Sequence, residues 1–207
     1  MLIFLHDKTV DMNLRRLFQI HSNTLEPHSG EILLSEPTMN SLHFERSAVL
    51  LIDHSEEEGT FGLIMNKPLR FKLNEVVEFF NDFDAPVYLG GPVGDNQIYF
   101  VHTLGELIPD SCKIMEGLYW GGNSEILNTL IEQGIANKNN VRFFLGYSGW
   151  DKGQLVDELD RNSWAVSKAS SHLLFSTPAD QLWKTLLNRM GKEYCLWSRF
   201  PKNPEEN

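Results

Sequence analysis

Cysteine is scarce: Cys112 and Cys195 are the only two in 207 residues, far apart and in no CxxC spacing. That excludes the disulfide framework of a small secreted domain and points to reduced thiols in a cytoplasmic protein. Long apolar runs are missing too. None approaches the ~18 residues of a membrane-spanning helix. The opening MLIFLHDK is broken at His6, Asp7 and Lys8, which excludes a signal peptide. Basic residues are few, with 18 Lys and Arg against 28 Asp and Glu and a net charge of −10. Proteins that hold nucleic acid by its phosphates carry a basic face, and the densest basic stretch here has only Arg15 and Arg16. Direct nucleic-acid binding is therefore disfavoured. The seven histidines form no i,i+4 pair and no Cys–His cluster, so no metal is expected. His54 beside Glu56, Glu57 and Glu58 reads as a solvated loop. No repeat, low-complexity tract or dividing linker is visible.

What is present is ordinary core material: 42% hydrophobic residues, with 13 Phe, 5 Trp and 5 Tyr. Residues 30–200 read as one domain, 1–29 as an N-terminal extension and 201–207 as a frayed tail. Within the extension, residues 11–20 read as a short amphipathic helix, with Met12, Leu14, Leu17, Phe18 and Ile20 apolar. Met12 also offers an alternative start, which would leave residues 1–11 as an upstream extension. Short apolar runs bounded by turn residues predict strands at 31–34, 48–53, 61–65, 87–89, 97–102 and 141–146. Residues 113–120, 163–167 and 172–175 read as extended, and 54–60 as a hairpin loop. Helices are expected over 73–80, 123–133, 153–159 and 177–190. Asn123 caps the second, and Thr177 caps the last with Pro178 at its first position. Strands outnumber helices without a regular βαβ alternation, which favours a mixed sheet in an α+β domain.

Several segments stand out together, in order: Gly30-Glu31-Ile32-Leu33-Leu34-Ser35-Glu36-Pro37, Phe44-Glu45-Arg46-Ser47-Ala48-Val49, Gly62-Leu63-Ile64-Met65-Asn66-Lys67-Pro68 and Gly90-Gly91-Pro92-Val93. They continue with Gly117-Leu118-Tyr119-Trp120-Gly121-Gly122 and Arg142-Phe143-Phe144-Leu145-Gly146-Tyr147-Ser148-Gly149-Trp150, then Gly153-Gln154-Leu155 and Glu158. The set resembles the bacterial AlgH/YqgE family over residues 30–164. The resemblance implies an α+β fold with a mixed, bifurcated β-sheet bent into a pseudo-barrel with flanking helices. It brings a transcriptional-regulator label, from a role in controlling alginate synthesis, and no catalytic residue.

Gly146-Tyr147-Ser148-Gly149-Trp150 resembles a nucleophile elbow, but Trp150 stands where the G-x-S-x-G pattern needs glycine. The favoured reading is a corner packed by Tyr147 and Trp150, with no catalytic residue assigned. Gly90-Gly91-Pro92-Val93-Gly94 feeds a strand rather than a helix, and Pro92 lacks a donor, so it reads as a tight turn or close approach. Gly121 and Gly122 lead into a strong helix start, where free N–H groups would suit an anion; the alternative is a helix capped by Asn123. Ser35, Glu36, Arg46, Asn66 and Lys67 lie at strand ends. Arg46 could clamp a carboxylate or phosphate, or pair with Glu36. If a ligand site exists, it is expected where these ends meet Ser148 and Trp150, with Gln154 at the next helix start.

The chain thus reads as a noncatalytic regulatory or binding protein, acting through a protein partner or a small anionic ligand, with no cofactor and no membrane association. The alternative is a hydrolase or transferase acting on an anionic substrate, supported by Ser148, Arg46, Lys67 and the Gly121–Gly122 helix start.

Overall fold

The computed structural model describes residues 25–201; the helix expected over 11–20 and most of the tail lie outside them. The strands are β1 (Ile32–Ser35), β2 (Ala48–Ser55), β3 (Gly59–Ile64), β4 (Pro68–Lys72) and β5 (Pro86–Leu89). They continue with β6 (Val93–His102), β7 (Cys112–Met115), β8 (Leu118–Trp120), β9 (Val141–Trp150) and β10 (Trp164–Ser167). The helices are α1 (Ser124–Glu132), α2 (Gln154–Asp160), α3 (Ser171–Ser176), α4 (Ala179–Arg189) and α5 (Lys192–Arg199).

These ten strands form one sheet: eight follow the order β10–β1–β2–β3–β9–β6–β8–β7, while β5 branches from β9 and β4 pairs antiparallel with β5. The outermost two do not pair, so the sheet bends without closing. It is mixed and it forks, both because of β9. Phe144 and Leu145 of β9 pair in parallel with Tyr88 and Leu89 of β5. Further along, Ser148, Gly149 and Trp150 pair antiparallel with Gly62, Phe61 and Thr60 of β3. β6 runs antiparallel to the same strand, from Val93 opposite Tyr147 to His102 opposite Val141.

The central strands are apolar without alternation because both faces are covered. Ile32, Leu34, Ala48 and Leu50 face the buried stripe of α4 and α5, formed by Leu182, Trp183, Leu186, Leu187, Tyr194 and Trp197. Leu33, Val49 and Leu51, one residue out of phase, pack with Trp150, Leu155 and Trp164. A third cluster joins Leu127, Leu130 and Ile131 of α1 to Val87, Val141 and Phe143.

Several local expectations need correction. Residues 73–80 form two single 3-10 turns, Leu73–Glu75 and Glu78–Phe80, rather than a helix. Residues 172–175 belong to α3, not to a strand: an apolar run this short has no diagnostic period, and Ser170 caps it by accepting from Leu173 N. Thr177 does not cap α4; Pro178 occupies the N-cap with no side-chain bond. The loop at 54–60 shrinks to a turn at residues 56–58, since β2 runs to Ser55 and β3 starts at Gly59. Strand β4 and helix α5 were not anticipated.

Candidate functional site

The residues picked out in sequence fall into separate surroundings. Ser35 is fully buried, and its Oγ accepts from Ser47 N at 2.9 Å. Its carbonyl accepts from Trp183 Nε1 at 3.0 Å. Asn66 bridges two turns, accepting from Ala48 N and donating to Arg46 O, each at 2.9 Å. Arg46 itself is left-handed, with φ +50°. Its Nη2 donates to Phe200 O at 2.7 Å, just past α5, and its guanidinium lies 5.3 Å from the Trp183 ring centre. A cation there also complements the negative end of α5. The backbone of Glu36 donates to Ser163 O, and Lys67 O accepts from Leu89 N. Through Ser35 and Arg46 this group ties the C-terminal helices to the sheet.

Gly121 and Gly122 both have positive φ and turn the chain into α1. Asn123 Oδ1 accepts from Glu125 N and Ile126 N, each at 3.0 Å, so the side chain caps the helix start. Gly121 O also faces buried His102 Nε2 at 3.1 Å, while His102 Nδ1 accepts from Leu104 N. Burial pulls the His102 pKa down, opposed by the Gly121 contact.

Ser148 lies inside β9 rather than on a turn, fully buried, donating its hydroxyl to Gly90 O at 3.0 Å. Ser148→Ala is expected to lower stability by about 1 kcal/mol, the cost of one buried hydrogen bond. Urea denaturation checks this; a loss above about 3 kcal/mol would contradict the assignment of a single buried hydrogen bond to this hydroxyl.

Trp150 and Gln154 border an open groove of about 730 Å³ between β3, β6 and β9. Its walls are aromatic. The Phe61 ring sits 4.8 Å from Tyr147 and 5.8 Å from Tyr99. Trp120 backs them, stacked on Tyr99 at 5.3 Å and edge-on to Phe61 at 5.1 Å. Room for this cluster comes from Gly149, paired opposite Phe61: a Cβ there would lie 3.1 Å from Tyr147 Cε2. Asp53, Glu58 and Asp151 are exposed and line the groove together with Gln97 and Gln154, and no lining residue is basic. The Tyr99 hydroxyl donates to Gln97 Oε1. Burial, then proximity to Tyr147, raises the Tyr99 pKa, so the phenol keeps its proton.

Beneath the groove, Glu158 holds the corner. Its Oε2 accepts from Trp150 Nε1 at 2.9 Å and Trp164 Nε1 at 2.7 Å, and its Oε1 accepts from Gln154 Nε2 at 2.9 Å. Sequence reasoning named Trp150 and Gln154 and read Tyr147 as corner packing only, but missed Phe61, Tyr99 and Trp120. The alternation along β9 carried the signal: with Trp150 and Ser148 inward, Tyr147 and Gly149 must face outward. Among the described residues, no group of three or more His, Cys, Asp or Glu is placed to hold a metal ion, and no helix is long and apolar enough to cross a membrane.

Comparison with known proteins agrees with this architecture. The AlgH-like family model, DUF179, matches residues 32–195. A UPF0301 protein of Bacteroides fragilis is 43% identical, over 92% of this chain and 97% of its own length. One from Parabacteroides distasonis is 40% identical, over 93% and 98%. The crystal structure of a Corynebacterium diphtheriae protein superimposes with a TM-score of 0.72 at 24% identity, covering 89% of this chain and 98% of that one. The solution structure of the AlgH protein from Pseudomonas aeruginosa gives 0.65 at 26% identity, covering 84% and 95%. The chain therefore belongs to the AlgH-like, UPF0301 family.

Proposed function

We propose that this is a noncatalytic, cytoplasmic binding protein with a regulatory role, which docks a basic segment of a protein partner in the aromatic groove. The observation that carries this reading is the pairing of Phe61, Tyr99 and Tyr147 with the exposed carboxylates of Asp53, Glu58 and Asp151, with no basic residue lining the groove. Aromatic faces attract Lys and Arg heads and cover their apolar stems, and the lining carboxylates steer and pair with them. The groove is open rather than deep, which suits an extended segment. The hydrolase alternative draws no support from Ser148, whose hydroxyl is buried and bonded to a carbonyl.

A capped hexapeptide with two arginines, compared with its glutamate counterpart, tests the reading by NMR titration. The arginine peptide is expected to shift the Tyr99, Trp120 and Tyr147 side-chain resonances saturably, and salt should weaken it. Tyr147→Ala should reduce its affinity about tenfold, matching a cation–π contact of ~1–2 kcal/mol. Equal response to both peptides, or none, rejects the proposal.

A further inference from the structure

A second cleft, of about 250 Å³, has the opposite character. Arg142 enters it from β9 with only 7% of its surface exposed. Its guanidinium is held between two rings, 4.5 Å from the centre of Tyr88 and 5.0 Å from that of Phe175. One donor, Nη1, goes to Met65 O at 3.0 Å. No carboxylate pairs with it among the described residues. A buried cation normally has an anionic partner, because ring faces and one carbonyl replace only part of its lost hydration. Burial accordingly pulls the Arg142 pKa down.

The missing anion has a prepared place. Lys138, Asn139 and Ser176 are exposed on the same cleft, and Thr177 is half-buried beside them. Helix α4 begins there at Pro178 and Ala179, with no side chain capping its first N–H groups. An adjoining cleft of about 400 Å³ shares Asn139, Phe175 and Ser176 and adds His172. No Asp or Glu lines either one, in a chain of net charge −10. Two acids are sequence neighbours of the first cleft's lining: Asp180, in the first turn of α4, and Asp84, which pairs with Lys72.

We propose that the cleft between Arg142, Lys138 and the start of α4 binds the phosphate group of a small molecule. Donors approach from several directions, which suits a tetrahedral anion: a planar fork below, a point charge at the margin, and hydroxyl and backbone groups beside it. The rest of the ligand would extend toward His172. This site is independent of the aromatic groove and does not rest on the reading given to it.

Inorganic phosphate is the probe, titrated at constant ionic strength against chloride, with amide NMR as readout. Saturable shifts are expected at Asn139, Ser176, Thr177 and Ala179. Lys138→Gln should weaken binding about tenfold without affecting the fold, because Lys138 is exposed. Arg142→Met should abolish binding; if that variant does not fold, Lys138→Gln alone decides. Tyr147→Ala, in the groove, should leave phosphate binding unchanged. Absence of saturation through tens of millimolar phosphate, the same shifts with chloride, or unchanged affinity in Lys138→Gln would each overturn the assignment.

Discussion

Gly90→Ala is expected to give a chain that does not reach the native fold. A Cβ on Gly90 would lie 2.0 Å from Gly146 O and 3.0 Å from Leu63 Cδ2. Relief would require the backbone to move, and it is anchored on both sides. Gly90 N donates to Leu145 O at 2.8 Å, while Gly90 O accepts from Ile64 N at 2.9 Å and from Ser148 Oγ. These bonds hold the point at which β9 leaves β5 and takes up β3. Breaking them in a fully buried place costs more than about 4 kcal/mol, a large part of the ~5–15 kcal/mol that holds a domain together. Soluble yield and amide dispersion provide the measurement. Gly134→Ala is the control: it has positive φ but open space around it, so a loss of about 1 kcal/mol is expected. A Gly90→Ala protein with native dispersion and a denaturation midpoint near wild type would refute the argument.

Glu158→Ala is expected to cost about 3–4 kcal/mol, since each charged hydrogen bond lost by a buried donor is worth ~1.5–3 kcal/mol. Two indole N–H groups depend on that carboxylate, and their rings are almost fully buried, Trp150 at 5% exposure and Trp164 at 2%. The rings meet edge to face at 5.7 Å, and Phe44 closes the cluster. Glu158→Gln retains an acceptor and should cost about half as much. Urea midpoints for both variants, with tryptophan emission as the signal, make the comparison. Equal, small losses would show that water replaces the carboxylate without penalty.

The parts legible in sequence were those with a local physical cause. α1 announces itself through Asn123, its apolar face and the closing Gly134. β1, β2 and β9 are legible as apolar runs. The fork was reached only through resemblance, because the pairing of β9 with three strands depends on contacts distant in sequence. α5 went unread because Tyr194 and Trp197 gain their meaning from the sheet they cover. The site was less legible still. Arg46 and Asn66 looked like ligand groups because their partners, Phe200 O and backbone turns, cannot be foreseen from composition. Arg142, a charge inside the apolar run Val141-Arg142-Phe143-Phe144, was the anomaly that carried information.

Strand β9 begins beside the phosphate cleft at Arg142 and ends in the aromatic groove at Trp150. At about 3.3 Å per residue those positions stand roughly 26 Å apart. Since neighbours along a strand face opposite ways, adding or deleting one residue between them would turn one end inside out while the other stayed in place. Length within this segment is consequently locked, whereas the turn at residues 56–58 has room to grow or shrink. The spacing of the two cavities is thus written into a single stretch of backbone that tolerates no change of frame.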